Sequence, residues 1–232
     1  MESSFRFRKF EVRHVRSALK VGTDAVLLGA AATVRESDRY AVDVGTGCGV
    51  IALMIAQRSP SCSVTGIDID RPSADEAALN FSLSPWSGRL RAVCVPLSDF
   101  VPDTAPDLIV SNPPYYDSSL RNPDERKAAA RHTGTLDFAA LCSFAAERLS
   151  EDGRLSVIIP SDSLKAFRRT AASFGLLPFR IMEVRTTAAK PPSRVVAEFS
   201  HSGAECLHEG ITLLENGSKT AEYASLTRDF YL

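Results

Sequence analysis

Short apolar runs and segments with helical spacing alternate along most of the chain. Runs rich in β-branched residues predict strands over residues 40–44, 63–67, 90–95, 107–110 and 153–160. Apolar residues at intervals of three and four predict the intervening and following helices, over residues 50–57, 73–81, 136–149 and 161–174. This alternation is typical of an α/β protein with a doubly wound, mostly parallel sheet.

Both ends of the chain predict additions to this core. Residues 5–16 alternate aromatic or apolar with basic side chains, which indicates a strand or short hairpin with a basic outer face. Residues 20–24 supply an N-cap candidate in front of an apolar helix over residues 25–34. Towards the other end, residues 179–185 and 195–199 predict an antiparallel hairpin that closes the sheet at its edge.

Composition agrees with one globular domain. The chain has 232 residues, of which 44% are hydrophobic and 24% are charged, so it can bury a core. We expect a basic hairpin and helix over 1–35, a core over 36–203 and an extension over 204–232. In that extension residues 211–214 are strand-like, and the aromatic end is expected to pack back on the body.

The cysteines and the apolar runs predict a cytoplasmic protein. The five cysteines are an odd number, and none forms a Cys-x-x-Cys pair, which is typical of a reduced compartment. No apolar leader follows the basic residues near Met1, and no run reaches the length of a bilayer span. The histidines are scattered and no Cys or His spacing suggests a metal site, so neither a metal nor a membrane is expected.

The net charge of −1 hides two basic regions. Residues 1–20 carry six Lys or Arg against two Glu, and residues 165–194 carry seven against one. Such regions fit solvated faces or a polyanionic partner, and the aromatic residues among 5–16 fit either nucleic acid or a row packed on the core. The candidates for contact with nucleic acid are Arg6, Arg8, Lys9, Arg13, His14, Arg131, His132, Lys190 and Arg194.

Two polar stretches follow predicted strands. The strand over 40–44 runs into Gly45-Thr46-Gly47-Cys48-Gly49, whose alternate glycines let the backbone approach a ligand closely. A dinucleotide loop needs a sixth-position glycine where this chain has Val50, so NAD is disfavoured. With Asp43 in front, the loop resembles the S-adenosylmethionine loop of class I methyltransferases. Asp68 ends the next strand and suits ribose hydroxyls, with Asp70 in reserve, although either could instead cap the following helix.

The stretch 107–115 is the candidate for chemistry. A buried strand leads into Asn112, Pro113, Pro114 and Tyr115, and the prolines hold Asn112 at the carboxyl end of that strand. The Asn112 oxygen and the Pro113 carbonyl offer two acceptors for one NH2 group, and Tyr115 can stack on a planar group. The same sequence also makes an ordinary turn. The polar segment 116–135 that follows suits a lid, and its basic residues contact phosphates or are solvated.

Taken together, these motifs resemble the amino-methyltransferases with an Asn-Pro-Pro-Tyr site, which act on adenine N6, cytosine N4 or glutamine N5. The stretches 10–14, 20–29 and 226–232 narrow the likeness to the bacterial tRNA1(Val) adenine-37 N6-methyltransferase family. The resemblance implies a Rossmann-like class I fold with a seven-stranded sheet, S-adenosylmethionine as cofactor and tRNA as partner. No obligate protein partner is expected.

The resemblance also implies the site residues. The cofactor candidates are Lys20, Thr23, Asp24, Asp43, Gly45, Gly47, Gly49, Asp68, Asp99 and Asn112, and the catalytic candidates are Asn112, Pro113 and Tyr115. One departure concerns the acid that such enzymes often carry just after the third strand, because this chain has Pro96 there and Asp99 next. The alternatives are glutamine N5-methylation of a protein, methylation of an rRNA base and a non-catalytic RNA-binding protein.

Overall fold

A computed structural model describes residues 4–17, 20–113, 137–203 and 205–232. Within these ranges the strands are β1 (Ser4–Arg6), β2 (Glu11–Arg13), β3 (Tyr40–Val44), β4 (Ser63–Asp68), β5 (Leu90–Cys94), β6 (Leu108–Ser111), β7 (Arg154–Pro160), β8 (Leu177–Arg185), β9 (Arg194–Ser200), β10 (Leu207–Thr212), β11 (Leu214–Glu215) and β12 (Ser218–Lys219). The helices are α1 (Thr23–Ala31), α2 (Val50–Arg58), α3 (Arg71–Ser82), α4 (Phe138–Arg148), α5 (Leu164–Ser173) and α6 (Ala221–Thr227).

The central sheet confirms the predicted doubly wound α/β architecture. Its strand order is β10-β8-β9-β7-β6-β3-β4-β5. Neighbouring strands are parallel except for β9, which runs antiparallel to both β7 and β8. The winding reverses at β3, with β4 and β5 on one side and β6 and β7 on the other. In open α/β sheets a ligand crevice lies at such a switch point, outside the carboxyl ends of the strands.

The described residues form a central sheet of eight strands, one more than the seven that were expected. The additional strand is β10, which pairs in parallel with β8 from Leu207 opposite Arg180 to Thr212 opposite Arg185. The predicted hairpin of β8 and β9 is antiparallel, but it lies inside the sheet because β10 covers its outer strand. Residues 207–210 lack a β-branched run, so side-chain propensity does not predict a strand there. Without β10, the outer strand β8 would present unpaired N–H and C=O groups, and the backbone of residues 207–212 pairs with them.

The central strands are buried on both faces. In β6, Leu108 and Val110 belong to the hydrophobic cluster that contains α1 and α2, whereas Ile109 belongs to the cluster that contains α4 and α5. Successive strand residues point to opposite faces, so a strand with helices on both sides is apolar at nearly every position. This layering explains the continuous apolar runs from which these strands were predicted.

Helix α1 is buried except in its first turn. Gly22 is its N-cap, so the cap lies within the predicted stretch but provides no side-chain hydrogen bond. Asp24 lies in the first turn instead, where a carboxylate is stabilised by the positive end of the helix dipole. In the described part of the chain, no helix combines the length and apolar character that crossing a bilayer requires.

The two ends of the chain pack against each other, as predicted for the aromatic C-terminus. The Arg8 backbone N–H donates to the Phe230 carbonyl at 2.8 Å. The ring of Phe7 stacks on that of Phe10 at 4.5 Å and lies 6.2 Å from that of Tyr231. The aromatic row of the N-terminal hairpin therefore faces the interior, and its basic residues face outwards. The division into three segments of one domain remains a prediction.

A buried ion pair stabilises the amino edge of the sheet. Arg154, at the start of β7, is fully buried, and its guanidinium donates to the Asp38 carboxylate at 3.0 Å. The same group donates to the Thr33 carbonyl at 2.8 Å and to the Asp107 carbonyl at 3.0 Å. Asp38 also accepts the Arg35 backbone N–H at 2.7 Å, so the pair fixes the turn between α1 and β3.

Removal of one partner of this pair should destabilise the fold strongly. Asp38→Ala is expected to lower the free energy of unfolding by about 3–5 kcal/mol, because it leaves a buried guanidinium without its counter-charge. Asp103→Ala is the matched control, since it removes an exposed pair with Arg91 at 3.3 Å and should leave stability unchanged within error. Urea denaturation measures both, and equal small effects would contradict the assignment.

Candidate cofactor and substrate site

The site lies where β3 and β6 end next to each other. The two strands are parallel, and Val44 stands opposite Ser111. The Ser111 hydroxyl is buried and donates to the Val44 carbonyl at 2.9 Å, which ties the two strand ends together. Gly45 and Asn112, the next residue of each chain segment, therefore leave the sheet side by side. This places the predicted cofactor loop beside the predicted catalytic residue.

The glycine loop crosses the end of β4 and borders open space. The backbone N–H groups of Gly45 and Thr46 both donate to the Ile67 carbonyl at 2.9 Å. Gly45 and Gly47 have φ angles of 71° and 54°, and a Cβ on either would meet nothing within 4 Å. Gly49 differs, because a Cβ there would lie 2.5 Å from the Phe81 ring. Two glycines thus face a space that a ligand can fill, and the third permits packing on α3.

Asp43 lies beneath this loop and has unused bonding capacity. Its Oδ2 accepts the Thr46 hydroxyl at 2.7 Å and the Ala52 backbone N–H at 3.3 Å. Its Oδ1 is buried and has no hydrogen-bond partner among the described residues. Burial raises the pKa of Asp43 to about 7, against the hydrogen bonds from Thr46 and Ala52 and with the help of the nearby Asp68 charge. The orphaned oxygen suits a cationic or N–H donor group of a ligand.

The structure separates the roles of Asp68 and Asp70. Asp70 is the N-cap of α3 and accepts the backbone N–H and the hydroxyl of Ser73, at 3.0 and 2.6 Å. Asp68 accepts the Gly47 N–H at 2.8 Å and the Asp70 N–H at 2.9 Å. Burial raises the pKa of Asp68, partly offset by those backbone hydrogen bonds. A carboxylate has about four acceptor sites, so Asp68 retains capacity for ribose hydroxyls, and Asp70 is the helix cap.

The start of α1 lies at the same edge of the sheet. Asp24 pairs with Arg194 at 2.9 Å, and Arg194 begins β9 opposite Pro160, the last residue of β7. Lys20 and Thr23 are exposed there. One ion pair thus joins a predicted cofactor residue to a predicted RNA contact, which orients Asp24 towards β9.

The remaining cofactor and substrate candidates are placed only in part. Asn112 is half-buried and Pro113 is buried. Tyr115, Arg131 and His132 lie outside the described residues, as does the predicted lid over 116–135. Asp99 ends a short 3-10 helix after β5, is exposed and accepts the Ser98 hydroxyl at 2.8 Å. Cys94 of β5 stands opposite Asp68 of β4, so the 3-10 helix with Asp99 follows the carboxyl edge of the sheet. The role of Asp99 remains a prediction.

The predicted RNA contacts among the described residues differ in exposure, and Arg13 is half-buried. Arg6, Arg8, Lys9 and Lys190 are exposed. His14 is 8% exposed and its Nδ1 accepts the Val21 backbone N–H at 3.0 Å, which favours a supporting role over direct contact with RNA. Among the described residues, no group of three or more His, Cys, Asp or Glu side chains is arranged to hold a metal ion.

Two buried polar residues near the loop escaped the sequence analysis. Glu76 and Asn80 on α3 are 3% and 1% exposed. Glu76 accepts hydrogen bonds from the segment between β2 and α1, and Asn80 bonds to Arg13 at the end of β2. Asn80 also donates to the Cys48 carbonyl of the glycine loop at 2.8 Å. The sequence signal that could have identified them is their spacing of four residues, because residues i and i+4 lie on one helix face and can contact the same segment.

Related proteins match the chain over almost its whole length. A family model described as a methyltransferase small domain matches residues 15–177. A tRNA1(Val) (adenine(37)-N6)-methyltransferase of Bacteroides fragilis is 40% identical over 232 residues, which covers 98% of this chain and 97% of the relative. A protein of the same name from Pedobacter heparinus is 37% identical over 233 residues, with 100% and 99% coverage.

Solved structures show the same fold. A protein described as a predicted O-methyltransferase from Agrobacterium tumefaciens has a TM-score of 0.70 at 19% identity, and covers 89% of this chain and 96% of its own. A ribosomal protein L11 methylase from Lactobacillus delbrueckii subsp. bulgaricus has a TM-score of 0.55 at 21% identity, with 77% coverage of each chain. The Rossmann-like methyltransferase fold expected from the sequence is confirmed.

The buried Asp43 should leave a signature in the pH dependence of stability. Its folded-state pKa of about 7 lies above the ordinary value of 3.8, so the folded state keeps this proton longer than the unfolded chain does. The contribution of Asp43 to stability is therefore greatest below about pH 4 and is lost as the pH rises through 7. Asp43→Asn removes this titration, so the difference in unfolding free energy between wild type and variant should change across that window. Parallel pH curves from urea denaturation would contradict this assignment.

Proposed function

Because the chain belongs to the methyltransferase small domain family, we propose that it methylates N6 of adenine 37 in tRNA1(Val), with S-adenosylmethionine as the methyl donor. Relatives that are 37% and 40% identical over nearly the whole chain carry this activity in their names. The observation that carries the proposal is the adjacency of the glycine loop and Asn112 at the ends of β3 and β6. The reaction takes place where tRNA is found, in the cytoplasm.

The residues beneath the glycine loop fit the cofactor. When bound, S-adenosylmethionine supplies a methyl group on a positively charged sulfonium. The space beside Gly45 and Gly47 accommodates its methionine part, and the orphaned Asp43 oxygen suits the ammonium end. Asp68 has acceptor sites left for the ribose hydroxyls. Lys20, Thr23, Asp24 and Asp99 remain candidates at the rim of this site.

Asn112 and Pro113 position the nucleophile. An adenine that leaves its stack donates its N6 hydrogens to the Asn112 oxygen and the Pro113 carbonyl. These two hydrogen bonds draw the amine towards a tetrahedral form, with its lone pair directed at the methyl group. No strong base is needed before attack, because the amine becomes acidic once it is methylated and then releases a proton to solvent. Orientation and matched charge supply most of the rate. Tyr115 would add stacking on the base.

The exposed basic residues suit the tRNA backbone. Arg6 and Lys9 are exposed on the N-terminal hairpin, whose aromatic side is packed inwards. Arg8 is exposed as well, and its Nε donates to the Tyr231 carbonyl at 2.5 Å. The exposed Lys190 and the half-buried Arg13 extend this set, and Arg194 contributes while paired with Asp24. Phosphate contacts of this kind orient a nucleic acid and make its binding depend on salt.

The test is transfer of labelled methyl to unmodified tRNA, followed by nucleoside identification. Wild type should produce N6-methyladenosine, and Asn112→Ala should lower turnover by about 100-fold or more while it leaves cofactor affinity unchanged. Asp68→Asn is the converse variant, which should weaken cofactor binding in calorimetry. Loss of cofactor affinity in Asn112→Ala would assign Asn112 to the cofactor site. Label in a release-factor protein and none in tRNA would establish glutamine N5-methylation instead.

A further inference from the structure

Two buried polar side chains on α3 hold the segment that follows the N-terminal hairpin. Glu76 and Asn80 are one helical turn apart and share a face. Helix α3 itself is fixed at its start by the Asp70 cap, two residues after Asp68. Because α3 begins so close to the predicted ribose carboxylate, the residues that its buried face binds have a fixed position relative to that carboxylate.

Glu76 binds a row of backbone N–H groups. Its Oε1 accepts from Val15 at 2.8 Å and from Arg16 at 3.0 Å, and its Oε2 accepts from Ser17 at 2.8 Å. Burial alone would raise the pKa of Glu76, but the hydrogen bonds from Arg16, Ser17 and Val15 outweigh it and place the pKa below its ordinary value. The carboxylate is therefore charged at neutral pH and fixes the conformation of residues 15–17.

Asn80 joins this segment to the glycine loop. Its Oδ1 accepts the Arg13 backbone N–H at 2.9 Å. Its Nδ2 donates both hydrogens, one to the Arg13 carbonyl at 2.8 Å and one to the Cys48 carbonyl at 2.8 Å. A single amide thus satisfies one donor and two acceptors, and Cys48 is the loop residue between Gly47 and Gly49. Because Asn80 bonds to both, a shift of residues 13–17 relative to α3 would also disturb the position of the glycine loop.

We propose that Glu76 and Asn80 are positioning residues for the methyl transfer, which hold residues 13–17 and the glycine loop in register on α3. This inference rests on the proposed function. The segment carries Arg13 and Arg16 and leads towards Lys20 and the first turn of α1, so its position sets the basic surface relative to the cofactor site. Glu76 contacts only the segment that carries the basic residues, whereas Asn80 contacts both that segment and the glycine loop.

The different contacts of the two residues predict different kinetic effects. Glu76→Gln replaces one acceptor oxygen with an NH2 group that opposes the backbone N–H row. It should raise KM for tRNA about tenfold and leave KM for S-adenosylmethionine within about twofold. Asn80→Asp removes both donated hydrogen bonds and should raise both KM values. Asn80→Ala removes these two bonds and the bond accepted from the Arg13 N–H, without adding charge, and serves if the Asp variant does not fold.

Amide hydrogen exchange gives a readout that does not depend on activity. In the full-length protein, Glu76→Gln should speed exchange at residues 15–17 with little change at the central strands. Asp75→Asn is the matched control, since Asp75 is exposed on the same helix and pairs with Arg71 at 3.9 Å. That variant should behave as wild type in every assay.

Each outcome decides the proposal. The expected split between the two KM values, with local exchange at residues 15–17, supports it. A uniform fall in kcat with both KM values unchanged, or unaltered exchange at residues 15–17, would overturn it in favour of a purely structural role. If wild type transfers no methyl to tRNA, the proposed function fails separately, and exchange together with calorimetric cofactor affinity still tests the placement of the segment and the loop.

Discussion

The parallel pairing of β3 with β6 is the contact on which the site depends. It sets Val44 opposite Ser111, so the glycine loop and Asn112 leave the sheet next to each other. The neighbouring strand β4 adds Asp68, whose carboxylate holds the Gly47 N–H. These ends are accessible because the winding reverses at β3, and the crossover connections diverge from that point. This adjacency is what the proposed methyl transfer requires.

The two edges of the sheet use charge in opposite ways. At the amino edge, the Arg154 guanidinium is buried with Asp38 and with backbone carbonyls, so its hydrogen-bonding groups are matched within the protein. At the carboxyl edge, Asp43 has a buried oxygen without a partner among the described residues, and two glycines border open space. A buried pair destabilises a fold when one partner is removed, whereas an unmatched buried group costs stability until another group bonds to it.

The electrostatics of this edge suit a positively charged ligand. Burial raises the pKa of both Asp43 and Asp68. The charge of Asp68 adds to the rise at Asp43, and the charge of Asp70 adds to the rise at Asp68. An ammonium or sulfonium group nearby favours the charged form of both residues. S-adenosylmethionine carries both kinds of cation, which agrees with the family to which the chain belongs.

The sequence by itself determined how the core strands and helices follow one another along the chain, the glycine loop and the placement of Asn112 at a strand end. Periodicity and turn residues act locally, so they can be recognised without the tertiary structure. Only the tertiary structure decided that Asp68 accepts the Gly47 N–H, that β10 extends the sheet and that Asp24 pairs with Arg194, 170 residues away. The same holds for Asn80, which meets the loop only after folding. Such contacts depend on which backbone and side-chain groups meet after folding, and local sequence patterns do not specify those partners.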